Sequence, residues 1–359
     1  MANIKDVARL AGVSISTVSY VLSGERPVSE ATKELVLQAM ERLGYRPHAH
    51  ARALASKRSR ILALHIPLVR KNLGETMMEF VTSASEAVKE YGYNLVLWTS
   101  GYNEEAALTQ LVRQGLVDGM ILMEVHTQDP RVPLLQKLDL PFSLIGRSRD
   151  SDGEADSGTV EDISWADIDF RSTMFSAVEH LYALGHRHIA FVSQSKEAFD
   201  QRYGPVVRSY RAFIEAQGRY GFTGPQLFCE ESPQMGYRLF KDVIERNPGI
   251  TGVIVMNDRI LPGIYRAILE SGHRIPEQYS VISIVSSPGT AEMFYPAVSA
   301  AEVPGRQLAR IAVERLIERL EGKAVDHSKV LIPCNLVIRE STGPISRGKR
   351  TSHGGTSNL

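Results

Sequence analysis

Residues 12–20 of this 359-residue chain read GVSISTVSY. Before them, Ile4, Val7, Ala8 and Ala11 have the spacing of one helical face, opened by Asn3 as an N-cap and stopped by Gly12. After them, Val18, Val21 and Leu22 continue a second helical face that Ser14 can cap. Two short helices joined by a tight glycine turn form a helix-turn-helix, whose second helix places its first turns in a DNA major groove. Ile15, Ser16 and Tyr20 share a face there and can reach base edges. Ile15 can offer only apolar contact, such as with a thymine methyl, and Ser16 can bond several bases and discriminates weakly. The hydroxyls of Ser14, Ser19 and Ser29 stand at helix starts or edges where phosphates are gripped, and Asn3, Thr17 and Arg26 complete the DNA-facing set.

Working outward, a third helix follows from Ser29, with Leu35, Val36, Ala39, Met40 and Leu43 on one face and Gly44 at its end. Residues 1–45 are thus an all-α unit. Residues 46–60, RPHAHARALASKRSR, form a basic linker with a helical stretch too short to stand alone. The first 60 residues carry ten basic and five acidic side chains, although the whole chain holds 41 of each. A basic module on a mildly acidic body is the pattern of a nucleic-acid binder with a second function.

These residues resemble the LacI/GalR family of bacterial repressors, through NIKDVARLAGVSISTVSYVLSGERPVSEAT at 3–32 and RLGYRPHAHARALA at 42–55. The resemblance implies that Ile15, Ser16 and Tyr20 face bases. It also implies that 48–55 is a hinge helix entering the minor groove at the operator centre. Leu54 would wedge between base pairs there, with Ala51 on the same face. His48 stands where the family more often has asparagine.

From residue 61 the period changes. Continuous apolar runs recur at 61–67, 93–98, 120–125, 142–146, 189–193, 252–256 and 281–285, with helical patterns between them. That alternation predicts parallel sheets covered on both faces. The acidic, serine-rich stretch 147–163 divides the series. We therefore expect two doubly wound lobes, about 61–162 and about 163–300. A helix at 307–320 and a strand at 329–338 return across the boundary, and a polar, disordered tail follows over 344–359. The resemblance extends to AVEHL at 177–181, LGHRHIAF at 184–191 and MND at 256–258, and implies a body like periplasmic sugar-binding proteins.

Ligands in such lobes sit at the carboxyl ends of strands. Arg147, Asn257 and Asp258 follow strands, and Arg208 lies near the family's ligand arginine; these four are the candidate effector residues. Many sugar-binding relatives carry an aromatic-Asp-Asp sequence where this chain has Ile284-Val285-Ser286-Ser287-Pro288. We therefore expect a carbohydrate or derivative held mainly by neutral donors and arginine.

Other classes fall away. No apolar run reaches the 18 or so residues that span a bilayer, and the first residues lack a signal-peptide pattern. Two cysteines, Cys229 and Cys334, make no disulfide framework, which suits a reducing cytoplasm. Phosphate-loop, zinc-protease and nucleophile-elbow motifs are missing. Ser193-Gln194-Ser195-Lys196 fits S-x-x-K without its companion motifs, and His186 with His188 is a weak metal signal. No enzyme activity, cofactor or metal is expected. The reading is a cytoplasmic, effector-controlled repressor binding a pseudopalindromic operator as a homodimer. A tail without leucine heptads cannot hold a tetramer. A solute-binding protein of a transport system is the alternative, disfavoured by the basic first 60 residues.

Overall fold

The computed structural model describes residues 2–23, 26–45, 58–67, 74–101, 104–148, 163–323 and 329–345. His48, Ala51 and Leu54, with most of the linker and of the tail, lie outside the described residues. The N-terminal unit is three helices: α1 (Ile4–Ala11), α2 (Ile15–Ser23) and α3 (Glu30–Leu43). Asn3 Oδ1 accepts from the backbone of Lys5 and Asp6, while the Asp6 carboxylate accepts from the Asn3 N–H, a reciprocal cap. Gly12 ends α1 at φ 63°, a left-handed conformation in which an L side chain is strained. Val7, Ala8, Ala11, Val18, Val36, Ala39 and Tyr45 close a small core of their own.

From residue 61 strands and helices alternate as expected. β1 (Ile61–His65), α4 (Glu75–Glu90), β2 (Asn94–Trp98), α5 (Glu105–Arg113), β3 (Gly119–Leu122), α6 (Arg131–Lys137), β4 (Phe142–Ile145) and β5 (Trp165–Ile168) come first. α7 (Phe170–Ala183), β6 (Ile189–Ser193), α8 (Lys196–Asp200), α9 (Gly204–Tyr220), β7 (Gln226–Phe228), α10 (Pro233–Arg246) and β8 (Gly252–Val255) follow. Then come α11 (Leu261–Glu270), β9 (Ser280–Ser286), α12 (Pro288–Glu292), β10 (Ser299–Glu302), α13 (Gly305–Leu320), β11 (Lys329–Ile332) and β12 (Asn335–Val337). Among the described residues they make two six-stranded sheets, β11-β5-β4-β3-β1-β2 and β12-β10-β9-β8-β6-β7. All pairings are parallel except β10 with β12. Strands such as β3 and β8 are buried at every position, as crossover helices on both faces require.

Two boundaries differ from the sequence expectation. β5 pairs with β4 and β11, so the first lobe continues past residue 162 to Ile168. The expected strand 329–338 is two strands in different sheets, broken at Pro333-Cys334, where proline has no N–H to give a ladder. The chain therefore crosses between lobes near 169, 303 and 333. α13 lies against the first lobe: it packs on α4, β3, β4 and β5, and Ala312 O accepts from Ser143 Oγ at 2.8 Å.

Each lobe also buries a histidine. In the first, the Arg131 guanidinium meets His65 Nδ1 at 2.6 Å and forks onto Asp129 at 2.9 and 2.7 Å, while His65 Nε2 meets Ser100 Oγ at 2.9 Å. Burial, with the Arg131 charge, lowers His65 to about 3. In the second, His186 bonds Thr251 and Ser280, and burial lowers it to about 4. Both rings are neutral in the fold but take a proton near 6.5 once unfolded, so their stabilisation is complete above pH 6.5 and is lost as pH falls toward the folded values. At pH 5 the loss is roughly 2 kcal/mol per histidine. The raised carboxyl of Asp258, about 6, offsets part of it as the pH drops. Thermal melts at pH 7 and pH 5 are expected to differ by roughly 5 °C, and the His65 ring should show no protonation by NMR above pH 5.

Candidate functional site

The N-terminal unit presents α2 at its surface. Ser14 Oγ accepts from Thr17 N at 3.0 Å and lies 2.8 Å from Thr17 Oγ1, which fixes the first turn. Ser29 Oγ does the same for α3, accepting from Thr32 N at 3.2 Å. Both hydroxyls cap their helices, at the helix starts where the sequence reading put them. Ile15 and Ser16 are exposed, while Thr17, Ser19 and Tyr20 are half-buried. Ile15 is 44% exposed at the helix start and lies outside the headpiece core. The Arg26 guanidinium stands 5.1 Å from the centre of the Tyr20 ring, within cation–π distance.

The second candidate region lies between the lobes, at the carboxyl ends of both sheets. A cavity of about 300 Å³ is walled by Glu75, Met77, Phe80, Glu124, Ile145, Asp167 and Leu308 of the first lobe, and by Phe170, Gln194, Tyr203, Met256, Asn257, Asp258, Arg259 and Val285 of the second. Asn257 Oδ1 accepts from Arg259 N at 3.1 Å and caps the 3₁₀ turn 258–260. Its Nδ2 is buried without a partner, so the residue serves as a cap and still holds its amide N–H donors at the cavity lining. Asp258 accepts from Ser283 Oγ at 2.6 Å and Ser286 Oγ at 3.1 Å; burial raises it to about 6 against those bonds. Glu124 and Val285 both line the cavity with positive φ, 54° and 62°. Such backbone costs about 1–3 kcal/mol and concentrates at binding sites.

Arg147 and Arg208 are not on the cavity wall. Arg147 Nε stands 3.3 Å and Arg208 Nη1 3.2 Å from Asp167 Oδ2, all three side chains buried. Arg208 Nη2 also donates to Arg147 O at 2.6 Å. Burial pushes the Asp167 carboxyl up, opposed by the Arg208 and Arg147 charges. The expected arginine walls are thus replaced by an acid backed by two guanidiniums. Glu75, Glu124 and Asp167 were missed in sequence; Asp167 sits two residues before the lobe crossing, and an acid in the strand text WADI was its one signal. The S-x-x-K text resolves into Ser195 capping α8, its Oγ accepting from Ala198 N. His188 meets Thr223 Oγ1 at 2.6 Å, and no metal-holding group of acids, histidines or cysteines occurs among the described residues.

Residues 3–48 match the model of bacterial regulatory proteins of the lacI family, and residues 178–342 match a periplasmic binding protein-like domain. The HTH-type transcriptional regulator RegA of Clostridium saccharobutylicum is 30% identical over 95% of this chain and 99% of its own length. The chain belongs to the LacI family. A transcriptional regulator CelR–cellobiose complex has 25% identity, covers 95% of this chain and 100% of its own, and superposes with a TM-score of 0.69. The lac repressor dimer bound to operator and an anti-inducer, at 24% identity, shares the fold over 95% of this chain and 99% of its own with a TM-score of 0.78. This LacI-family protein is a DNA-binding transcriptional regulator and not an enzyme, and the transport alternative is not favoured. No helix among the described residues is long and apolar enough to cross a membrane.

Proposed function

We propose that this LacI-family regulator is a cytoplasmic repressor that binds a pseudopalindromic operator as a homodimer and answers to a small carbohydrate-like effector in the inter-lobe cavity. The observation that carries the effector half is the buried, unpartnered Nδ2 of Asn257 on the wall of a cavity shared by both sheets. A donor in that position is costly unless a ligand oxygen meets it. The arrangement of acids alters the expected recognition: acceptors on the first lobe and the Asn257 donor on the second suit hydroxyls, which both give and accept. CelR was solved with cellobiose, and a LacI-family regulator from Enterococcus faecium with ribose, which supports a saccharide class. Calorimetry against a carbohydrate panel tests this, with Asn257→Ala expected to weaken the best ligand about tenfold. Full affinity in the variant would remove Asn257 from the site.

For DNA, Ile15, Ser16 and Tyr20 read bases, and Arg26 contacts phosphate. Asn3, Ser14, Thr17, Ser19 and Ser29 orient the helix starts, with His48, Ala51 and Leu54 at the operator centre. A binding-site selection is expected to return an altered sequence for Tyr20→Ala. Arg26→Ala should return the wild-type sequence at about tenfold lower affinity. The homodimer is supported by a shallow groove on the second lobe, where Met293 and Tyr295, 76% and 93% exposed, stand beside Leu269 and Phe294.

A further inference from the structure

We propose that the two lobes close on each other without any ligand. Carboxylates of the first lobe sit in donors of the second, so that an effector must act by breaking these contacts. This rests on the cleft reading above but does not require an effector to be known.

The contacts ring the cavity. On one side Glu75, in the first turn of α4, accepts from Ser287 Oγ at 2.8 Å and from Thr290 Oγ1 at 3.0 Å, both of the second lobe. Gly289 lies between these donors, and a Cβ there would collide with the Glu75 carboxylate. On another side Tyr203 OH donates to Glu124 Oε1 at 2.9 Å. Around it the backbone itself bridges: Gly204 N to Val125 O at 3.1 Å and Thr127 N to Arg202 O at 2.9 Å. Near the lobe crossing, Arg208 of α9 reaches the first-lobe Asp167 and Arg147 O.

Among these side-chain contacts the polarity repeats, while the backbone bridges run both ways. The first lobe gives carboxylates, and the second gives a guanidinium, a phenol or hydroxyls. Charge-assisted bonds of this kind are the strong ones, the more so where water is excluded. At the cavity the Ser287 hydroxyl already donates to Glu75 of the facing lobe. The chain's carboxylate thus takes up donors that a ligand would otherwise meet. A ligand shifts a two-state equilibrium only by its differential affinity for the two states. When closure is already satisfied internally, a ligand that merely fits the closed cavity changes little, and regulation has to come from displacing Glu75 or Asp167 from their partners.

Single-molecule FRET on ligand-free full-length protein tests this. Dyes go on cysteines introduced at the exposed Lys137 and Glu245, one in each lobe. The native Cys229 and Cys334 are buried, with thiols pushed up to about 11 and about 12, and do not compete for label. The expected result is one high-efficiency population in the wild-type background. Glu75→Gln, which keeps the size and removes the charge, is expected to move the closed-to-open ratio at least tenfold toward open. Gly289→Val is expected to do the same from the opposite wall. A predominantly open wild type overturns the proposal, and so do folded variants that stay as closed as wild type. Circular dichroism establishes folding, and the wild-type distribution decides even if a variant fails to fold. A closed ligand-free protein that binds no carbohydrate would sink the effector reading and leave this one standing.

Discussion

Replacing Asp167 with alanine is expected to lower the stability of the two-lobed body by about 3–5 kcal/mol, the usual consequence of removing one partner from a buried ion pair. Two guanidiniums, Arg147 and Arg208, converge on one carboxylate oxygen at 3.3 and 3.2 Å, and none of the three side chains is accessible to water in any quantity. Without the acid, two positive charges face each other in an enclosed site. Arg208 is further confined because its guanidinium packs against Gly204, so it has little room to swing toward solvent. In urea the midpoint of the body should fall by roughly 1–2 M. Asp167→Asn removes the charge but keeps the shape and is expected to cost nearly as much. Replacing all three with apolar residues of similar volume should restore much of the loss. An unchanged midpoint in Asp167→Ala would mean that the three groups do not meet in solution.

The same cluster shows what sequence could and could not disclose. The two-lobe architecture was legible because a strand buried on both faces needs an uninterrupted apolar run, as in Gly119–Leu122 or Gly252–Val255. The helix-turn-helix was legible because caps are local: Asn3, Gly12, Ser14 and Ser29 act within four residues of themselves. Arg147 and Arg208 could be named as unusual, yet their role could not be read. An arginine waiting for a ligand and one already held by a carboxylate look alike in sequence. Their partner lies at the end of a short strand, WADI, with too few apolar residues to announce itself beside an acidic stretch. Glu75 was invisible for a related reason: its donors Ser287 and Thr290 lie more than 200 positions away, and only the folding of the second lobe against the first brings them together. The split of 329–338 into two sheets was signalled by Pro333, since proline inside a strand pattern argues against a continuous ladder.

The second large effect is expected from Val18→Asp, which should abolish specific operator binding while leaving the body intact. Val18 is fully buried on the inner face of α2 against Val7, Ala8, Val36 and Ala39. A domain of this size has a small core and a stability of only about 3–5 kcal/mol. An unpaired carboxylate in that core costs a comparable amount or more, so the three helices would lose their packing and α2 its defined surface. Affinity for the operator recovered by selection with wild-type protein should fall at least a thousandfold, toward non-specific binding. Ile15→Ala makes the contrasting case. Ile15 lies on the outer face of the same helix, so its loss should spare folding and cost roughly 1–3 kcal/mol of discrimination, about 5- to 150-fold. Fluorescence anisotropy at one fixed salt concentration compares the three proteins, and urea melts of the body serve as the control, because its cores share no residue with the headpiece core. Salt must be held constant because phosphate contacts alone can change affinity by orders of magnitude. If Val18→Asp binds the selected operator as wild type does, DNA is held by some other surface. If Ile15→Ala is the more damaging of the two, the inner and outer faces of α2 have been assigned the wrong way round.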